Sequence, residues 1–133
     1  MFYSLLGNKK IIENNLNLLK KNNIGMIGNE IITLSNIPIN KNSFRFIDIY
    51  LKRFNVKYNH LGHFVPGTCF WIRGDILNNF FNIQNLTDCY NEFKKYYCGS
   101  KENLKEGYPH AFERFFGLMV ENCGMKTVRF DSN

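Results

Sequence analysis

Residues Tyr108–Gly124 read YPHAFERFFGLMVENCG, and their spacing sets the architecture expected for the chain. Phe112, Phe115, Phe116, Met119, Val120 and Cys123 recur every three or four residues, the period of one apolar helix face. Pro109 suits the first turn, where no N–H is required, and Gly124 suits the C-terminal stop. His110, Glu113, Arg114 and Gly117 follow one another at i, i+3, i+4 and i+7 on a neighbouring face. An imidazole, a carboxylate and a guanidinium therefore share one wall, the set that proton transfer and recognition of a charged substrate need. The plain alternative is a solvated first turn whose acid favours the helix dipole.

Outward from this helix, Met125–Phe130 is expected to close as a strand and Lys101–Gly107 to form a charged loop. Asn8 caps a helix to about Asn22 with Ile12, Leu16 and Leu19 inward, and Ile24–Gly28 is a short buried strand between glycines. Asn36–Asn42, with Pro38, is a loop. A helix over Ser43–Phe54 carries Ile47, Tyr50, Leu51 and Phe54 on one face. The bulky run His63–Arg73 reads as one strand, Gly74-Asp75 turns it into a helix over Ile76–Phe81, and Thr87 caps another to Tyr97.

These elements imply an α/β layer structure with few strands for 133 residues, a single domain or less. Thirteen Phe and seven Tyr supply an aromatic core. The net charge is +6, yet the lysines are scattered in pairs with no polybasic run, so solvated helix faces account for them. Cys69, Cys89, Cys98 and Cys123 show no paired spacing and read as thiols in a reducing, cytoplasmic setting, at most peripheral to a membrane. No apolar run reaches the ~20 residues of a spanning helix. His60-x-x-His63 with Cys69 is too loose for zinc, and Gly62 opposes a helical pair, so no metal site is expected.

PGTCFWIRGDIL at 66–77 resembles the Gly-Ser-Met-Phe-Trp-x-Arg-x-x-x-Leu segment of the rhamnan synthesis protein F family of glycosyltransferases. HAFERFFG at 110–117 resembles that family's His-Ala-x-Glu-Arg-x-Phe-Gly segment, and SLLGNKKIIENNLNLLKKNNIGMIG at 4–28 is similar to its Leu-Leu-Gly, helix, Ile-Gly-x-Ile-Gly passage. The three lie in the family's order and span nearly the whole chain; Thr68 and Cys69 stand where Ser and Met are usual.

The resemblance implies residues 1–133 are a single partial GT-A-like (Rossmann-type) domain, its C-terminal acceptor-side half, the N-terminal nucleotide-binding half being missing. The abrupt apolar start agrees with that. The implied activity is transfer of a sugar from a nucleotide-sugar donor to a glycan acceptor in polysaccharide biosynthesis, with the chain inactive without a complementary N-terminal polypeptide. The implied Mg2+ or Mn2+ belongs to an Asp-x-Asp in that other half, because Asp48 is alone and Asp75 has no acidic partner two residues away.

In this frame Glu113 is the base, His110 an alternative base or an acceptor-orienting group, and Arg114 a phosphate contact or a partner of Glu113. Arg73 is a second phosphate or carboxylate contact, Gly67 and Thr68 lie against a sugar, and Trp71 or Phe70 stacks on a ring while the other enters the core. Two rivals stand beside it. One is a basic nucleic-acid or polyanion-binding module using lysine pairs and Tyr90, Tyr96 and Tyr97, although nucleic acid is not the expected partner. The other is an inactive glycosyltransferase remnant.

Overall fold

Every residue of Ile24–Gly28 (β1) is buried, because β1 is the middle strand of a three-stranded sheet covered on both faces. The computed structural model describes residues 6–37, 41–97 and 107–130, and the side chains of 41–44, 96 and 97 lie outside the description. In chain order the described elements are α1 (Lys9–Leu19), β1, β2 (Ile32–Thr33), α2 (Lys41–Phe54), β3 (His63–Phe64), β4 (Phe70–Ile72), α3 (Gly74–Phe80), α4 (Ile83–Tyr97), α5 (Tyr108–Asn122) and β5 (Lys126–Arg129). Short 3-10 turns occupy Leu34–Asn36 and Pro66–Thr68. The chain is thus a mixed α/β structure. β1 pairs antiparallel with β4 and parallel with β5, while β2 and β3 form a separate antiparallel pair.

A bulge sits in β1 between Ile24 and Met26. It breaks the two-residue alternation, so Ile24 and Ile27 pack with Phe130 on α1's side while Met26 enters the larger core. On β4 the alternation is regular. Trp71, opposite Ile27, joins the α1 side, whereas Phe70 meets Phe116 of α5 at 5.2 Å.

α1 starts where expected: the Asn8 side chain accepts from the Ile11 N–H at 3.0 Å. Its packed face is rotated from the expected one, with Ile11, Leu18 and Leu19 against the Ile24–Ile27 cluster and Leu16 exposed. The run His63–Arg73 is not one strand. Pro66 and two residues of positive φ, Gly67 and Thr68, fold its middle into a turn, so β3 and β4 serve different sheets. α4 begins at Ile83, before Thr87, whose hydroxyl instead donates to the Ile83 carbonyl at 2.8 Å. The charged stretch 101–106 and residues 1–5 lie outside the described residues.

α5 is the centre of the larger core. Ala111, Phe115, Leu118, Met119 and Val120 are buried around it, and Tyr50 of α2 meets Tyr108, Phe112 and Phe115 at 5.3, 5.2 and 5.4 Å. Edge and tilted ring pairs of this kind add to the area they bury.

A polar clamp ties three helices together. Arg53 of α2 donates to both oxygens of Glu92 on α4. The Tyr108 hydroxyl lies 3.0 Å from the Cys89 carbonyl oxygen and 3.1 Å from Glu92 Oε2. The Arg53 guanidinium, aided by Tyr108, holds the Glu92 carboxyl below the usual range against the opposing effect of burial. A carboxyl depressed in the folded state contributes stability fully above its unfolded value and loses it as pH falls through the folded one. Urea denaturation of Glu92→Gln should therefore show a deficit against the parent at pH 7 that narrows below about pH 4. A deficit that is constant with pH would assign the clamp no electrostatic role.

Candidate functional site

The site grows from the turn between β3 and β4. Gly67 has φ +77° and Thr68 φ +53°; the second is unfavourable for a β-branched residue. Two successive residues so placed aim their N–H groups the same way, and the Glu113 carboxylate fills the position they aim at. Its Oε1 accepts from both Gly67 N–H and Thr68 N–H, the latter at 3.2 Å. Nothing contacts the open side of Gly67.

Glu113 and Thr68 also line one end of a cavity of about 330 Å³ between α4 and α5. Among the described residues its other walls are Leu86, Cys89, Tyr90, Phe93, Tyr108, Pro109 and Phe112. The carboxylate is thus shared between a strained turn and an aromatic hollow. Among the described residues Glu113 Oε2 has no hydrogen-bond partner.

The other expected members separate from this pair. His110 is exposed and does not line the cavity. Arg114 is only 8% exposed, its guanidinium 5.9 Å from the Phe64 ring. Its Nε and Nη1 are buried without a hydrogen-bond partner among the described residues. Burial pushes the guanidinium below its usual range, with Glu113 pulling the other way. Gly117, fourth on the same face, abuts the His63 carbonyl.

Trp71 and Arg73 fall outside the site for a topological reason. Strand alternation puts Trp71 on the α1 side of the sheet, where Trp71 and Arg73 line a hollow with Leu16, Leu19 and Lys20. Arg73 is committed to Asp75 through Nε and Nη2. The Asp48 carboxylate is likewise taken by Lys52 at 2.7 Å. These carboxylates do not fit a divalent cation, and no three His, Cys, Asp or Glu among the described residues gather to hold one. No helix among the described residues is long and apolar enough to cross a membrane.

Leu86, Phe93 and Tyr108 escape the sequence reading, and Tyr90 enters it only as a surface stacking residue. The signal was present, since Leu86, Tyr90 and Phe93 are spaced i, i+4, i+7. A helix beginning at Thr87 leaves Leu86 off that face. Tyr90 is 60% exposed, with the Lys94 ammonium 5.4 Å from the centre of its ring. The side chains of Tyr96 and Tyr97 lie outside the described residues.

Arg114 yields a stability prediction. Two buried donors without acceptors carry a desolvation penalty, and an apolar side chain of similar length removes it. Arg114→Met should be as stable as the parent or more so, by about 1 kcal/mol, in urea denaturation. A loss above about 2 kcal/mol would show that the guanidinium is well compensated.

Comparison with protein-family models, with curated proteins and with solved structures found no match for the chain.

Proposed function

We propose that this chain is the acceptor-side part of a GT-A-like glycosyltransferase, moving a sugar from a nucleotide-sugar donor to a glycan acceptor. The observation that carries the proposal is the contact of Glu113 with Gly67 and Thr68. It joins in space two of the three segments, 66–77 and 110–117, on which the resemblance rests. The parallel β1–β5 pair, with helices on both sheet faces, is compatible with part of such a fold.

In the proposed reaction the acceptor hydroxyl approaches Glu113 at the Thr68 edge of the cavity. Oε1 is held by two backbone N–H groups, so the carboxylate cannot rotate freely, and Oε2 takes the hydroxyl proton as the oxygen attacks the anomeric carbon. A positioned base of this kind contributes ~100- to 10,000-fold. The nucleoside diphosphate leaves with the bonding pair, stabilised by groups of the complementary polypeptide. His110 stands exposed one turn before Glu113, where it can meet an acceptor at the entrance.

The test is transfer of labelled sugar from a panel of nucleotide sugars by this chain together with a complementary nucleotide-binding polypeptide. Product is expected only with both present. Failure of the assembled pair with every donor, alongside salt-sensitive retention on a polyanion column, would replace the proposal with a basic binding module.

A further inference from the structure

We propose that α4 is a self-association surface: two copies of the chain pair antiparallel along Ile83, Leu86, Tyr90 and Phe93, related by a two-fold axis. This goes beyond sugar transfer, and its test needs no donor sugar.

Those four side chains are exposed, Ile83 by 86%, and they recur at i, i+3, i+7 and i+10, one seam along the helix. Among the described residues no other helix shows more than one exposed large apolar side chain. The inward side of α4 is already engaged. Cys89 is buried with its carbonyl near the Tyr108 hydroxyl, and Glu92 is held by Arg53, so the seam is turned outward. Exposed apolar residues scattered singly mean little, but an aligned row of them marks a partner.

The order of residues in the seam selects that partner. Its spacing of three, four and three reads the same in both directions. A two-fold axis beside position 88 therefore sets Ile83 against Phe93 of the second copy, and Leu86 against Tyr90 of the second copy. Both aliphatic side chains lie in the first half of the seam and both rings in the second. Antiparallel pairing puts one of each kind in every layer, so the helices keep a constant separation. Parallel pairing would stack ring on ring at one end and leave the other end thin. It would also gather Lys94 and Lys95 of both copies at one end, whereas the antiparallel pair holds the two Lys94 positions about 18 Å apart along the axis, beyond the screening length.

Charge and area agree with a second copy. The charged residues of α4 are Asp88, Glu92, Lys94 and Lys95, so the helix is neutral and lacks the cationic face with which a helix lies on an anionic membrane. The exposed parts of the four side chains offer roughly 450 Å² per copy and about 900 Å² for the pair, the size of a weak, reversible dimer. The +6 charge on each copy keeps the association weak and makes added salt strengthen it. Leu86, Tyr90 and Phe93 also line the cavity, so a seated copy screens that wall, while Glu113 and Thr68 lie off the seam.

The experiment is sedimentation velocity of the intact chain from about 10 µM to about 1 mM, at low and high salt. Monomer should give way to dimer across that range, at lower concentration in high salt. Ile83→Glu places an acid in the first turn, where the helix dipole favours it, and by symmetry alters two of the four layers. It should weaken dimerisation about 10-fold or more, whereas Leu61→Glu, an exposed apolar position off the seam, should leave it unchanged. Direction is read by mild oxidation of Ile83→Cys protein mixed with Phe93→Cys protein, with the joined peptides identified by mass spectrometry. An 83–93 junction between copies supports the antiparallel pair, and a dominant 83–83 junction overturns it. A chain that stays monomeric at about 1 mM in high salt, or a dimer indifferent to Ile83→Glu, also overturns the proposal. A monomer that pellets with phosphatidylglycerol vesicles, and loses this with Ile83→Glu, would replace the second copy with a membrane surface.

Discussion

Gly117→Ala should lower the melting temperature by about 10 °C or more, the largest single-methyl effect expected in this chain. A Cβ at Gly117 would sit 1.9 Å from the His63 carbonyl oxygen and 2.9 Å from its carbon. The obstacle is backbone, so no rotamer change relieves it, and α5 must move away from β3. Overpacking into a rigid wall costs about 3 kcal/mol or more, and a chain of this size loses about 3 °C for each kcal/mol. The sign is informative. In an exposed helix the same change would gain about 1 kcal/mol from backbone entropy, so a stabilised variant would mean that α5 does not lie against β3. Gly124→Ala is the natural reference. Its φ is +70° with open space around it, and only about 1 kcal/mol of left-handed strain is at stake.

Glu113 supports the second large prediction, and two substitutions separate its two roles. Glu113→Gln keeps an amide oxygen that can accept from Gly67 and Thr68, so it should cost about 1 kcal/mol or less in stability. It removes the base, and sugar transfer by the assembled pair should fall ~100- to 10,000-fold. Glu113→Ala loses both contacts, leaves a strained turn without its anchor, and should lose about 1–2 kcal/mol in addition to activity. Full activity in a folded Glu113→Gln protein would reduce the carboxylate to a structural anchor. The pair is measured by denaturation and by transfer rate side by side.

How far the sequence was legible depended on the range of the physics involved. α5 was readable because its apolar period and its closing glycine are local properties of seventeen residues, 108–124. β1 was readable because IGMIG can only be buried strand or turn. The His63–Arg73 run misled because bulky residues on both sides look like one buried strand, and only Pro66-Gly67 marks the break. Trp71 could not be assigned to a face until pairing with Ile27 fixed the register. His110, Glu113 and Arg114 all lie on α5, yet helix periodicity cannot say which residue meets a cavity, which meets β3 and which meets solvent. That division follows from long-range packing. The bulge in β1 left no trace in composition, because it answers to the register of β5, about a hundred residues away.

The central position of α5 bears on how the chain is made. α5 packs on α2, α3, α4, β1, β3 and β5, and β1 waits for β5 as its parallel neighbour. Synthesis proceeds from the N-terminus at about 5–20 residues per second. A nascent chain on the ribosome therefore displays the apolar sides of α2 and α4 before their common partner has been translated. Such a polypeptide is expected to complete its core only once α5 and β5 have both left the exit tunnel.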